Sequence, residues 1–144
     1  MREIHSKDIK ELLPHREPFL FLDEITELIS LDRAVGIKYV KEDDFYFKGH
    51  FPGKPIMPGV IIVESLAQLG AVILLSHEDY KGKIAYFTGI QKVKFRKSVV
   101  PGDKLVLTCS LTRFRGPFGF GVAKAYVDDE LVCEANISFA VGSA

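Results

Sequence analysis

Cysteine is scarce in this chain, and no cluster of metal-binding residues is present. Only two cysteines occur among 144 residues, Cys109 and Cys133, and no group of cysteines and histidines has the spacing of a metal site. The first residues, MREIHSKD, lack the apolar core of a secretory signal peptide. We therefore predict two buried, reduced thiols in a cytoplasmic protein.

Net charge and a membrane-spanning run are also lacking. The 19 basic and 19 acidic residues cancel, which removes any general attraction to nucleic acid or to an anionic surface. The most apolar run, Val60 to Leu75, has 16 residues and contains Glu64 and Gln68, whereas a membrane span needs about 20 apolar residues. The length and the 47% hydrophobic content instead predict a single globular domain, residues 1–144.

One buried helix and a series of strands are expected. The apolar run is hydrophobic on nearly every face, so we predict a helix from Gly59 to Ser76 that other elements enclose. A short amphipathic helix should end at Leu13, before Pro14. Branched and aromatic residues between turn signals predict strands over 19–31, 34–40, 84–99, 104–115, 119–127 and 131–141. The expected class is α+β, with an antiparallel sheet wrapped around a long central helix.

The loop before the long helix is the strongest candidate for a functional segment. Between residues 49 and 59 it contains three prolines, three glycines and a single histidine, His50. The prolines stiffen the backbone, and the glycines permit close approach of a ligand. A histidine is more often structural than catalytic, but its ordinary pKa makes it a usable base at neutral pH, and this rigid setting favours that role.

Two further groups suit proton transfer beside such a base. Glu64 interrupts the apolar helix, where burial raises the pKa of a carboxyl and lets it serve as an acid. Gln68 is one turn further along the same face and is placed to donate a hydrogen bond to Glu64. Gly59, at the start of the helix, offers a backbone N–H that a substrate carbonyl can approach closely, as in an oxyanion hole.

A cluster of cations follows the helix. In the strand over 91–97 the residues alternate, so Lys92, Lys94 and Arg96 should share one face and apolar residues the other. Such a face is usually just solvated. Together with Arg113 and Arg115 it is also suited to docking an acidic partner.

Three segments carry a specific resemblance to a known family. GHFPGKPIMPGVIIVESLAQLG, LPHREPFLFLD and KVKFRKSVVPGDKL are similar to segments of the 3-hydroxyacyl-[acyl-carrier-protein] dehydratases of bacterial type II fatty acid synthesis, the FabZ family. The resemblance covers essentially the whole chain. It implies the hot-dog fold and a homodimer, commonly assembled as a trimer of dimers.

The resemblance also implies roles for individual residues. The family's catalytic histidine matches His50, its catalytic glutamate matches Glu64, and its oxyanion-binding N–H matches Gly59. The family's active site is composite, so Glu64 would face His50 of the partner subunit. The resemblance further implies a cis peptide bond between His50 and Phe51, and a reaction that needs no cofactor or metal.

A tunnel and a docking surface follow from the implied substrate, an acyl chain on a carrier protein. We expect the tunnel residues to be Phe19, Phe21, Ile62, Leu66, Tyr86 and Phe87, with Tyr86 at the mouth; ordinary core packing is the alternative for Tyr86. The acidic carrier would dock on Lys92, Lys94, Arg96 and Lys97.

Three other functions remain open from the sequence. Some relatives also isomerise the trans-2 product to the cis-3 enoyl form with the same motif. A hot-dog thioesterase would use the helix and its carboxylate but generally lacks the HFPG loop. A non-catalytic acyl-binding module would have no need of both His50 and Glu64.

Overall fold

One long helix and an antiparallel sheet make up most of the molecule. The computed structural model describes residues 4–143, and the side chains of residues 8–143. In chain order the elements are β1 (Ile4–His5), α1 (Ser6–Leu12), β2 (Glu24–Ile29), β3 (Arg33–Tyr39), a 3₁₀ turn (Phe45–Phe47), α2 (Gly59–Leu75), β4 (Ile84–Phe95), β5 (Lys104–Arg115), β6 (Phe118–Val127) and β7 (Glu130–Gly142).

The strands form a single sheet that encloses α2. Their order is β1-β2-β3-β5-β6-β7-β4, and every neighbouring pair is antiparallel. Alternate residues of β5 and β6 are buried, which turns one face of the sheet toward the helix. The helix contacts β3 and each of the strands β4 to β7. The predicted α+β class, with a sheet wrapped around a central helix, is confirmed.

Close packing between α2 and the sheet explains the apolar character of the helix. Leu66, Leu69 and Val72 are completely buried. A Cβ atom at Gly70 would overlap the ring of Phe139 on β7, so the absence of a side chain there lets helix and sheet approach each other. The helix is therefore apolar on nearly all sides because the sheet surrounds it.

The first predicted strand, over 19–31, is too long. Strand β2 begins only at Glu24, because a helix side chain occupies the backbone groups that a longer strand would pair. The Phe21 N–H donates to Oε1 of Gln68 at 2.8 Å, and Nε2 of Gln68 donates to the Phe19 carbonyl at 3.0 Å.

The predicted strand over 84–99 also ends early. The N–H of Arg96 still donates to the Val132 carbonyl at 2.8 Å, but the Val99 carbonyl accepts from the N–H of Met57 at 2.8 Å. The chain thus leaves the sheet after Phe95 and pairs with the loop that precedes α2.

The two cysteines and the long helix have the expected surroundings. Cys109 and Cys133 are buried and not linked to each other, and burial raises the pKa of their thiols to about 12 and about 11. Among residues 4–143, no helix combines the length and the apolarity that crossing a membrane would require.

Candidate active site

His50 is held by reciprocal hydrogen bonds with Ile56 across its loop. The His50 Nδ1 lies 2.8 Å from the Ile56 carbonyl oxygen, and the Ile56 N–H donates to the His50 carbonyl at 2.9 Å. A carbonyl oxygen only accepts, so Nδ1 must carry the hydrogen and Nε2 has the free lone pair of a base. The peptide bond between His50 and Phe51 is cis, as the resemblance implied.

Gly59 opens α2 with an unused backbone donor. Pro58 precedes it and provides no side-chain cap, and the N–H groups of Gly59 and Val60 donate to no described residue. These N–H groups belong to the positive end of the helix, which favours a negatively charged oxygen. The site therefore offers the donor that the sequence predicted.

His50 and Gly59 line the same cavity. Its volume is about 500 Å³, and it lies between the His50 loop, the start of α2 and the end of β4. Ile62, Phe95, Arg96 and Lys97 also line it. One chain therefore brings the His50 imidazole and an unused backbone donor together on a partly apolar surface.

Glu64 is fixed by the predicted hydrogen bond. Its side chain is 22% exposed, and Oε2 accepts from Nε2 of Gln68 at 3.1 Å. Burial raises the pKa of the carboxyl, and the bond from Gln68 opposes this only in part. The protonated carboxyl, which a general acid needs, therefore persists to a higher pH than is usual for a glutamate.

A second cavity, of about 400 Å³, contains Glu64. Phe19, Tyr86 and Phe87 line it, whereas His50 and Gly59 do not. Within one chain, His50 and Glu64 thus line different cavities.

The proposed tunnel residues lie in three different places: two cavities and the hydrophobic core. Phe19, Tyr86 and Phe87 line the Glu64 cavity, and Ile62 lines the His50 cavity. Phe21 and Leu66 are almost completely buried in the core and line neither cavity. Tyr86 is half exposed, with 50% of its surface accessible. The tunnel role of these residues stays a prediction.

The structure adds His15, which the sequence reasoning did not select. Its Nε2 lies 3.7 Å from Oε2 of Glu64, and both side chains line the same cavity. Burial lowers the pKa of His15, which favours the neutral form of the ring. The one sequence signal for His15 was its position in the segment LPHREPFLFLD. Nothing in that segment indicates that α1 brings His15 beside α2.

The predicted alternation of the cations on β4 is interrupted at Lys92 and continues from Lys94 to Arg96. The pairing of β4 with β7 shifts between Gln91 and Lys94, and Lys92 has a left-handed φ of 52°. This β-bulge interrupts the two-residue period.

Ion pairs divide the four candidate docking cations. Arg96 lies 3.3 Å from Glu134 and Lys97 lies 2.7 Å from Glu130. No ion pair involves Lys92 or Lys94 among the side chains of residues 8–143. Within that range, no group of three or more histidine, cysteine or carboxylate side chains is placed to hold a metal ion.

The helix wrapped by the sheet defines a hot-dog protein, and the histidine loop and Glu64 form its candidate active site. The profile of the FabA-like domain matches residues 13–136. The chain is 55% identical over 135 residues to "3-hydroxyacyl-[acyl-carrier-protein] dehydratase FabZ" of Clostridium botulinum (strain Loch Maree / Type A3), which covers 94% of each chain. It is 54% identical over 136 residues to the protein of the same name from Clostridium novyi (strain NT), covering 94% of this chain and 96% of the relative.

A solved structure agrees with the fold. The dehydratase heterocomplex ApeI:P from Xenorhabdus doucetiae superimposes with a TM-score of 0.80 over 94% of this chain and 91% of that one, at 16% identity. The hot-dog fold is therefore confirmed. The chain belongs to the FabA-like family, among its FabZ dehydratases.

Proposed function

We propose that the chain removes water from (3R)-3-hydroxyacyl thioesters on an acyl carrier protein and forms the trans-2-enoyl thioester in fatty acid biosynthesis. This is the activity for which its FabZ relatives are named. The observation that carries the proposal is the shared cavity of His50 and Gly59, where a base and an oxyanion donor meet. With Glu64 as the acid, the set matches an elimination that needs no cofactor.

The first half of the elimination takes place at C2 and the thioester carbonyl. Nε2 of His50 carries the free lone pair, because Nδ1 donates to Ile56, and it removes the C2 proton. Electrons move toward the carbonyl oxygen, which accepts a hydrogen bond from the Gly59 N–H. One such donor is typically worth about 3 kcal/mol in the transition state.

The second half removes the hydroxyl group from C3. Glu64, whose pKa burial raises, donates its proton to the departing hydroxyl, which leaves as water. The C2–C3 double bond forms from the electron pair of the C2–H bond. At the end His50 is protonated and Glu64 ionised, so one proton must return from the histidine to the carboxylate, directly or through solvent, before the next turnover.

The separation of Glu64 from His50 within one chain supports a composite site in a dimer. β4 is an edge strand of the sheet, and its exposed side chains include Tyr86, Phe87, Ile90 and Phe95. Long edges with exposed apolar groups are usually covered by another chain. Self-association through β4 would cover this edge of the sheet.

The direction of β4 supports the same pairing. Its first residues line the Glu64 cavity, and its last residue, Phe95, lines the His50 cavity. Two antiparallel copies of β4 around a twofold axis place the beginning of one strand beside the end of the other. Glu64 then lies near His50 of the partner subunit. Three such dimers would form the hexamer that the resemblance implied.

The carrier would approach the cations at the end of β4. Arg96 and Lys97 line the His50 cavity, and Lys92 and Lys94 extend the positive charge along the strand. An acidic carrier protein would be attracted to this surface, mainly through a faster encounter. The setting is the cytoplasm, where type II fatty acid synthesis operates.

A dehydration assay with product analysis tests this function. The purified protein is given a 3-hydroxyacyl thioester on carrier protein, and formation of the enoyl thioester is followed by its absorbance. Water loss with the trans-2 isomer as sole product is expected. Recovery of the cis-3 isomer would add the isomerase activity. Release of free thiol from an acyl thioester without a 3-hydroxyl would instead indicate a thioesterase.

A further inference from the structure

The two oxygens of the Glu64 carboxyl have different surroundings. Oε2 lies 3.1 Å from Nε2 of Gln68 and 3.7 Å from Nε2 of His15. No hydrogen bond or ion pair with the described residues involves Oε1. Within that part of the chain, His15 is also the one basic side chain within ion-pair distance of Glu64. The described residues thus provide polar partners for one oxygen and leave the other free to bond a substrate.

Gln68 has a fixed orientation as a donor to Oε2. Its Oε1 accepts a hydrogen bond from the Phe21 N–H at 2.8 Å, so its amide cannot be turned around without losing that bond. Nε2 donates one hydrogen to the Phe19 carbonyl at 3.0 Å and the other to Glu64. The side-chain nitrogen therefore has no donor capacity left.

His15 is held beside Glu64 by the guanidinium of its neighbour. Nη1 of Arg16 donates to the carbonyls of Leu13 at 2.9 Å and His15 at 2.7 Å, and Nη2 donates to the Lys10 carbonyl at 3.1 Å. These bonds satisfy carbonyls at the end of α1 and fasten the segment that follows it. The backbone of His15 is thus anchored independently of Glu64.

The surroundings of the ring determine which nitrogen carries the hydrogen. Nδ1 of His15 is buried and has no hydrogen-bond partner among the described residues. A hydrogen on Nδ1 would be a buried donor without an acceptor, which is rare and costly. The favoured neutral tautomer therefore has its hydrogen on Nε2, which faces Oε2 of Glu64. At 3.7 Å the contact is longer than a hydrogen bond, and catalytic hydrogen bonds often shorten only when substrate binds.

We propose that His15 is a positioning residue that, with Gln68, reserves Oε2 of Glu64 as an acceptor, so that the acidic proton is carried by Oε1. With two N–H groups directed at it, Oε2 becomes the carbonyl oxygen of the protonated carboxyl. Oε1 then bears the hydroxyl that protonates the departing group at C3. This inference rests on the proposed function, because it assigns the oxygen that performs the acid step of that reaction.

The test compares three variants of the full-length protein. His15→Phe keeps a ring of similar size without donors, and His15→Gln retains an N–H at a similar reach. His77→Phe is the matched control, because His77 also lies 3.7 Å from a carboxylate, that of Asp79, but follows the far end of α2. The ionisation of Glu64 is followed by its carboxyl ¹³C shift, assigned with Glu64→Gln, in the complex with an acyl thioester that has no 3-hydroxyl, and kcat and KM are measured separately.

The expected result is a paired change in ionisation and turnover. Loss of a donor to the ionised carboxylate should raise the titration midpoint of Glu64 in His15→Phe by about half a pH unit. Turnover should fall about tenfold, because the acid is no longer aligned, while KM stays within about twofold. His15→Gln should restore both quantities, and His77→Phe should change neither.

Several outcomes would overturn the inference. The midpoint of Glu64 could stay unchanged in His15→Phe, or His15→Gln could titrate and turn over like His15→Phe. The ring ¹⁵N shifts of His15 in the wild-type protein give a further check that does not depend on any variant folding: a hydrogen on Nδ1 contradicts the proposal. An inactive wild-type protein would refute the proposed function and leave the titration result standing, so the two failures are distinguishable.

Discussion

A Cβ atom at Gly59 would lie 2.7 Å from Cε1 of Phe95. Gly59 begins α2, and Phe95 ends β4 with 54% of its surface exposed. The aromatic ring therefore covers the backbone where the unused N–H is found. A side chain at residue 59 would have to displace this ring, which lines the cavity that also contains His50.

Gly59→Ala should therefore lower activity without lowering stability. Alanine restricts the unfolded chain more than glycine does, and the Phe95 ring that its Cβ would meet is half exposed and can turn away, so the thermal midpoint should change little. Turnover should fall at least about a hundredfold, because the Cβ and the displaced ring obstruct the oxyanion donor. The double variant with Phe95→Leu removes the clash with the ring. If it recovers full turnover, the donor itself is not blocked, and Phe95 alone explains the loss.

His50→Ala and Glu64→Gln should each abolish most turnover. General acid–base groups typically contribute about 10²–10⁴-fold to the rate, and we expect losses in that range for each variant. The glutamine keeps the shape of the carboxyl and an oxygen that can accept from Gln68. Thermal midpoints close to that of the wild type would show that the fold is retained. Turnover within a few-fold of the wild type in either variant would remove that residue from the mechanism.

The candidate site residues that are close together in the sequence can be predicted from it, whereas the contact between distant segments cannot. His50, Gly59 and Glu64 lie in one continuous segment, and Gln68 is one helical turn beyond Glu64, so local spacing suffices to propose them. His15 reaches Glu64 only because α1 packs on α2. No local pattern specifies that contact.

The errors in the predicted strands have the same origin. The residues from Phe19 onward have high strand propensity, but the side chain of Gln68 bonds the backbone groups of Phe19 and Phe21, so no strand forms there. The alternation near Lys92 is interrupted by a bulge that depends on the register with β7. In both cases the outcome depends on a residue that is distant in the sequence. Tertiary packing with that residue overrides the local strand preference.

Mixing inactive subunits should regenerate activity if the site is composite. A heterodimer of His50→Ala and Glu64→Gln has one site with both groups intact and one site with neither. With random exchange, half of the dimers are mixed, so about a quarter of the wild-type activity is expected. Exchange is verified by native mass spectrometry of differently tagged chains. Background activity despite proven exchange would place base and acid in the same chain.

Glu64→Gln should change how stability depends on pH. Burial raises the folded-state pKa of Glu64 above 4.5, so the folded protein retains a proton that the unfolded chain has lost. The stability contributed by Glu64 is thus fully present below pH 4.5 and is lost as the pH rises through the folded pKa. The glutamine has no such dependence, so the stability of the variant relative to the wild type should increase with pH over that window.

Urea unfolding at a series of pH values measures this difference, with both proteins at the same concentration because association contributes to stability. The lowered pKa of His15 acts in the opposite direction: stability is lost as the pH falls below its usual value of 6.5. His15 is present in both proteins, so this effect largely cancels in the comparison. A difference that does not vary with pH would mean that Glu64 titrates like an exposed carboxyl.

Reversing Lys92 and Lys94 together should impair the use of carrier-bound substrate. Neither side chain forms an ion pair within residues 8–143, unlike Arg96 and Lys97, so Lys92→Glu/Lys94→Glu breaks no ion pair in that range. KM for the carrier-bound thioester should rise about tenfold at low salt, and the effect should shrink as salt screens the charges. KM for a short pantetheine thioester should not change.

The matched control is Lys81→Glu/Lys104→Glu, which alters the net charge equally at exposed positions away from the cavities. If the control has the same effect, net charge rather than this surface attracts the carrier; if both substrates suffer equally, the two lysines support the site.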